Sequence, residues 1–202
     1  MPERLIDSLR RALASRPSPP EEDATGFRPA SVLVPIRPSE GDLDFLFIQR
    51  SDDLRHHPGQ IAFPGGGREK VEDALACALR EAREEVGLEP ARVEVLGSVE
   101  SCFTPTGFQI TPFVGQIYVE PDTLEPDPVE IARIFTLPLG ELAARGTYRR
   151  THLAPDKPLE FFVCRDEVVW GATARILRQV VELILGEALR PEGPIPWDRI
   201  RF

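Results

Sequence analysis

Apolar residues recur along this chain with two periods, one of about 3.6 and one of about 2, and the alternation between them predicts the elements. In the N-terminal stretch MPERLIDSLRRALASR, Leu5, Leu9 and Leu13 stand at helical spacing among charges, the pattern of an ordinary amphipathic surface helix. Two β-rich runs follow, Ala30–Arg37 and Leu43–Arg50, with Gly41-Asp42 between them suiting a hairpin. The clearest helix is Glu72–Val86, where Ala74, Leu75, Ala78, Leu79, Ala82 and Val86 share one arc and Gly87 is placed to end it. Further strands are expected at Arg92–Ser101, Ile110–Val119, Ile131–Thr136 and Phe161–Cys164, and a second amphipathic helix at Ala172–Leu189. Arg16–Glu22 is Pro-rich and acidic and reads as a linker, and Pro191–Pro196 as a Pro-rich tail. Strands interleaved with helices predict an α/β sandwich on a mixed sheet. The expected division is a helix and linker over 1–29, one domain over 30–190, and a tail over 191–202.

Composition narrows the class. With 202 residues, 42% apolar and 28% charged, the chain suffices for one domain with a sizeable core. No apolar run approaches the roughly 18 residues of a transmembrane helix, so a cytoplasmic protein is expected. A net charge of −9 argues against a nucleic-acid backbone as partner, which requires clustered Lys and Arg. The N-terminal helix carries arginines as a transit peptide would, but Glu3 and Asp7 oppose that reading. Cys77, Cys102 and Cys164 lack both zinc-site spacing and a disulfide framework, and read as reduced thiols. His56 and His57 have no third metal ligand at suitable spacing and read as loop residues.

The acidic residues are unevenly placed, six carboxylates falling between Glu69 and Glu85. At roughly 100° per residue, Glu81, Glu84 and Glu85 span one arc beside the apolar stripe of their helix. A Glu-rich face is usually only solvated, but here its energetics are poor. Glu81 and Glu85 form a like-charge i,i+4 pair, and all three lie toward the helix C-terminus, where the macrodipole disfavours anions. A divalent cation would reverse both penalties, and carboxylate oxygens are the hard ligands that Mg²⁺ or Mn²⁺ prefer.

From Gly66 the chain runs five residues to Glu72, seven more, and then Arg80-Glu81-Ala82-Arg83-Glu84-Glu85-Val86-Gly87-Leu88. This resembles the Nudix box with no departure at its defining positions. Seven identities at fixed spacing, each near 6% in ordinary usage, give a chance match on the order of 10⁻⁸ per start position. The resemblance implies a Nudix-type α/β/α sandwich with a loop-helix-loop catalytic motif, in which Glu81, Glu84 and Glu85 bind Mg²⁺ or Mn²⁺. It further implies that Gly65 contributes its backbone carbonyl, that Glu72 supports the metal shell through water, and that Arg80 orients the helix carboxylates. Its i,i+4 relation to Glu84 gives Arg80 a geometric basis for that role. The general base is left open between Glu81 and Glu84, with Glu130 a weaker candidate. The glycines are followed by no Walker lysine, which disfavours a P-loop enzyme.

Upstream stand Arg50-Ser51, three residues, Arg55, three residues, Gly59, three residues and Phe63-Pro64-Gly65-Gly66. This resembles the accessory motif of the coenzyme A pyrophosphatase branch of the Nudix family. The preceding Leu46-Phe47-Ile48-Gln49 keeps the apolar character but departs from the usual Leu-Leu-Thr. Thr104-Pro105-Thr106-Gly107-Phe108, Pro112-Phe113 and Trp170-Gly171-Ala172-Thr173 also resemble that branch, so the likeness covers Ala30–Leu185. Coenzyme A carries a diphosphate and a 3′-phosphate, which guanidinium groups grip well, and Arg50 and Arg55 suit that task. Arg50, Arg55, Gly59, Phe63 and Gly66 are the implied substrate-binding residues. The implied reaction cleaves coenzyme A or acyl-CoA into adenosine 3′,5′-bisphosphate and 4′-phosphopantetheine or its acyl form. Another diphosphate such as ADP-ribose, a dinucleotide or an oxidised nucleotide is the alternative within the family. A silent nucleotide-sensing module is the alternative outside catalysis. Small molecules are the expected partners, and nothing in the sequence fixes the oligomeric state, a homodimer included.

Overall fold

The computed structural model describes residues 2–17, 24–154 and 157–200. Residues 18–22 of the expected linker lie outside them. The centre of the fold is a parallel pair, β1 (Arg28–Pro38) and a later strand, Phe108–Ile117, in register from Arg28↔Phe108 to Ile36↔Gln116. Around β1 the sheet grows by antiparallel pairing. The turn at Gly41, whose φ of 82° suits glycine, returns the chain as β2 (Leu43–Arg50). The short β3 (Ile61–Ala62) pairs with β2, and β4 (Gly65–Gly67) with the first half of β1. After α2 (Ala74–Val86), β5 (Val93–Ser98) and β6 (Cys102–Phe103) both pair with the second central strand, β7. Then β8 (Ile131–Pro138) runs antiparallel along β2.

Helices cover both faces, and strand alternation decides which residue meets which. Leu33, Leu46, Ile48, Phe113 and Ile117 pack with Ala78, Ala82 and Val86 of α2. Their neighbours Val34, Phe45, Phe47 and Val114 point the other way, into a core shared with α1 (Pro2–Ala14) and α4 (Ala172–Leu185). The result is the expected α/β sandwich on a mixed sheet. In α1 the buried stripe is Ile6, Leu9 and Leu13, with Leu5 only partly covered, so this helix is wedged into the core by one face.

Several boundaries shift for local reasons. The box helix begins at Ala74, not Glu72, because the Asp73 carboxylate caps it by accepting from Ala76 N–H at 2.7 Å. That leaves Glu72 outside the helix. Gly87 (φ 69°) and Gly186 (φ 72°) adopt the left-handed conformation at the ends of α2 and α4, the latter stopping at Leu185 short of Leu189. Besides the short β3 and β4, the sequence reading missed β9 (Tyr148–Ala154) and β11 (Glu167–Trp170), which flank β10 (Lys157–Cys164) in a separate three-stranded antiparallel sheet. Arg149, Arg150, Thr151 and His152 disguise β9, and a four-residue β11 is too short for periodicity to register. The turn α3 (Leu139–Leu142) links β8 to this sheet, and Tyr148, Phe162 and Val169 seat it on the core beside α4. Among the described residues no helix is long and apolar enough to cross a membrane.

Candidate active site

Packing α2 across β1 brings the box helix against β4, where backbone and carboxylates approach so closely that side chains are excluded. A Cβ on Gly65 would lie 2.4 Å from the Ser31 carbonyl oxygen, and one on Gly66 would lie 2.4 Å from Glu81 Oε1. Neither glycine has a positive φ, so crowding alone demands them. Gly65 N–H donates to Glu85 Oε2 at 2.9 Å. Glu85 is only 3% exposed, and burial pushes its carboxyl up to about 8 despite the opposing Gly65 N–H and the Arg50 charge. Burial likewise raises Glu81, with Arg80 opposing and Glu84 and Glu130 adding to the shift.

Arg80 ties the rest together. Its Nε and Nη2 donate to the two oxygens of Glu72 at 2.8 and 3.0 Å, and its Nη1 donates to Glu81 at 3.0 Å and to Glu84 at 2.8 Å. Nη2 also reaches the Gly67 carbonyl at 3.3 Å. This fork lowers the Glu72 carboxyl, chiefly through its hydrogen bonds. The three helix glutamates share an arc, but two different arginines hold them. Glu84 faces solvent and Glu81 lies half-buried, both bonded to Arg80 Nη1, while Glu85 turns inward to Gly65 and Arg50. Among the described residues no three metal-ligating side chains are gathered as a ready cation cage. The donor set nevertheless suits a hard dication. Glu81 and Glu85 are desolvated, repel each other, and have their charged forms disfavoured, which are the conditions a divalent cation reverses.

Arg50 arrives at this cluster through an irregularity. Between Gln49 and Arg50 the register with β8 slips, Gln49 facing Arg133 and Arg50 facing Ile131. A bulge of this kind re-aims a side chain, and here Arg50 Nη1 lies 3.3 Å from Glu85 while Nη2 lies 3.9 Å from Glu130. Glu130 is thereby brought to the cluster's rim, and its carbonyl accepts from Ser51 N–H at 2.7 Å. Arg55, His56 and His57 are exposed in the following loop, and Arg55 pairs with no carboxylate among the described residues. Gly59 closes that loop with a φ of 66°, and a Cβ there would meet Asp52 Oδ1 at 2.7 Å. Phe63 is placed differently from the substrate-binding role implied for it. It is 3% exposed and stacked on Phe47 at 4.8 Å, inside the core. Cys77 is also fully buried, its thiol pushed up to about 11 by burial and by Glu72 and Glu81.

A mixed α/β sandwich that sets a glycine-walled strand against an Arg-bridged carboxylate helix is the architecture of a diphosphate hydrolase of the Nudix type. Residues 27–156 match the NUDIX domain model, and the chain belongs to the Nudix family of hydrolases. It is 40% identical over 194 residues to the uncharacterized Nudix hydrolase NudL of Klebsiella pneumoniae subsp. pneumoniae, covering 93% of this chain and 96% of that one. It is 37% identical over 191 residues to NudL of Escherichia coli, covering 87% and 92%. Among solved structures, the fold is similar to a MutT/nudix family protein from Enterococcus faecalis, with a TM-score of 0.52 at 17% identity over 86% of this chain and 71% of that one.

Proposed function

We propose that this hydrolase cleaves the diphosphate of coenzyme A or an acyl-CoA, releasing adenosine 3′,5′-bisphosphate and 4′-phosphopantetheine or its acyl form. The observation that carries the reading is the run from Arg50 to Gly66. It supplies one arginine at the edge of the carboxylate cluster and a second, Arg55, exposed on the adjoining loop. Two separated guanidinium groups suit a substrate whose phosphates lie at two places.

Glu81, Glu84 and Glu85 would hold Mg²⁺ or Mn²⁺, with the Gly65 carbonyl beside them and Glu72 supporting the shell, once these side chains turn from their present partners. When bound, the cation neutralises phosphate charge and makes water easier to deprotonate. The protein's own groups do the rest. Arg80 keeps Glu72, Glu81 and Glu84 in order, Arg50 and Arg55 bind phosphate oxygens, and Glu81 or Glu84 takes the proton from the attacking water. Gly59 and Gly66 keep side chains from crowding the loop and Glu81.

A panel of coenzyme A, acyl-CoA, dephospho-coenzyme A, ADP-ribose and dinucleotides, assayed with Mg²⁺ or Mn²⁺ and read by mass spectrometry of the products, tests the proposal. Coenzyme A or an acyl-CoA should have the highest kcat/KM. Equal or better cleavage of ADP-ribose or a dinucleotide would reassign the substrate within the family, and no turnover of any compound would favour a sensing module.

A further inference from the structure

The loop from Ser51 to Gln60 is exposed at Asp52, Asp53 and Arg55–His57, yet its closing end is tied down from behind. Gln49 Nε2 donates to the Gly59 carbonyl at 3.3 Å, and Gln49 Oε1 accepts from Arg133 Nε at 2.6 Å. Arg133 Nη2 in turn donates to both oxygens of Glu167 at 2.7 Å, and its guanidinium lies 4.4 Å from the centre of the Phe135 ring. Three strands therefore feed one chain of polar contacts: β2 gives Gln49, β8 gives Arg133, and β11 of the second sheet gives Glu167. The register makes it possible, since Gln49 and Arg133 are direct cross-strand partners. The same β2 strand sends the next residue, Arg50, to the opposite face, where it meets Glu85. The contacts border a cavity of about 230 Å³ that Gln49, Gly59, Glu167 and Trp170 help to line, so cutting them opens no hole in the apolar core.

We infer that Glu167, Arg133 and Gln49 act together as a positioning brace that fixes the closing end of the Ser51–Gln60 loop and so sets where Arg55 meets substrate. The inference rests on the reading that this loop grips the substrate. None of the three residues touches the carboxylate cluster through the contacts described, so their effect should fall on binding and leave the chemical step alone.

The test uses the full chain with Arg133→Ala, Gln49→Ala and the double variant. Arg145→Ala, which breaks an exposed pair with Glu192 outside the brace, serves as control. Tryptic cleavage after Arg55, located by mass spectrometry, reads the loop without any substrate. Steady-state kinetics use whichever diphosphate the wild-type enzyme cleaves best, so a wrong substrate assignment does not disturb this result. Each single variant should speed cleavage at Arg55 by about fivefold and raise KM by a similar factor with kcat within about twofold. The double variant should be no worse than the worse single one, because both cut the same chain of contacts. Unchanged cleavage at Arg55 would overturn the brace. A loosened loop with unchanged KM, or an Arg145→Ala control that behaves alike, would overturn its role in positioning.

Discussion

At Glu85 a carboxylate has been driven almost out of solvent, and its partners hold it only in part. Burial raises its proton affinity while the Gly65 N–H and Arg50 work against that shift. Replacing it with glutamine removes the charge but keeps an acceptor for Gly65, so Glu85→Gln should leave the apo protein folded and at least as stable by thermal melting. Turnover should fall by two orders of magnitude or more if Glu85 holds the cation. A Glu85→Gln enzyme with near wild-type rates would remove it from the metal set. Arg80 presents the opposite case. One guanidinium bridges three carboxylates, so Arg80→Ala strands Glu72, Glu81 and Glu84 together. Without divalent cation it should destabilise the fold by about 1–3 kcal/mol, and saturating Mg²⁺ or Mn²⁺ should restore part of that loss. Arg80→Lys should behave much like the alanine variant, since an ammonium group lacks the planar fork that reaches all three. Chemical denaturation with and without cation measures both.

Among the elements, β4 shows how backbone proximity separates stability from function. Gly65→Ala would drive a methyl into the Ser31 carbonyl, a rigid neighbour within the sheet. Gly66→Ala would meet only the end of the Glu81 side chain, which can swing away. The first should therefore cost more than about 2 kcal/mol of stability. The second should melt near the wild-type temperature yet lose most activity, because Glu81 is displaced. If both variants lose stability alike, the model of a flexible Glu81 beside a rigid Ser31 fails. α2 itself leans on its cap: Asp73→Ala should lower stability by about 1 kcal/mol.

For the whole molecule, the buried thiols set an alkaline limit. Burial raises Cys77 and Cys164 to about 11 and raises Cys102 as well, and Cys164 also donates to Glu141 at 3.4 Å. Below pH 9 both folded and unfolded thiols keep their protons, and the stability tied to them is fully present. Between pH 9 and 11 the unfolded chain releases protons that the native protein retains, so stability falls as pH rises. Each thiol raised by two units accounts for up to about 3 kcal/mol by pH 11. Cys164→Ser should flatten the decline seen by urea denaturation between pH 8 and 10.5, and an unchanged slope would show that Cys164 contributes little to it.

The sequence by itself determined what depends on neighbours along the chain. It fixed the box helix through its apolar period and Gly87, the hairpin through Gly41, the sandwich through alternating periods, and the shared arc of Glu81, Glu84 and Glu85 through their spacing. Only the tertiary structure decided what depends on contacts between distant segments. It buried Phe63, carried Arg50 to Glu85 through a bulge, turned Glu85 inward to Gly65, and moved Glu72 off the helix and onto Arg80. It also paired Gln49 with Arg133 and Arg133 with Glu167, residues 84 and 34 positions apart. Helical and strand periods are local, so they survive in a linear reading. The direction a carboxylate or guanidinium takes is set by which strand lies opposite, and no spacing along the chain encodes that.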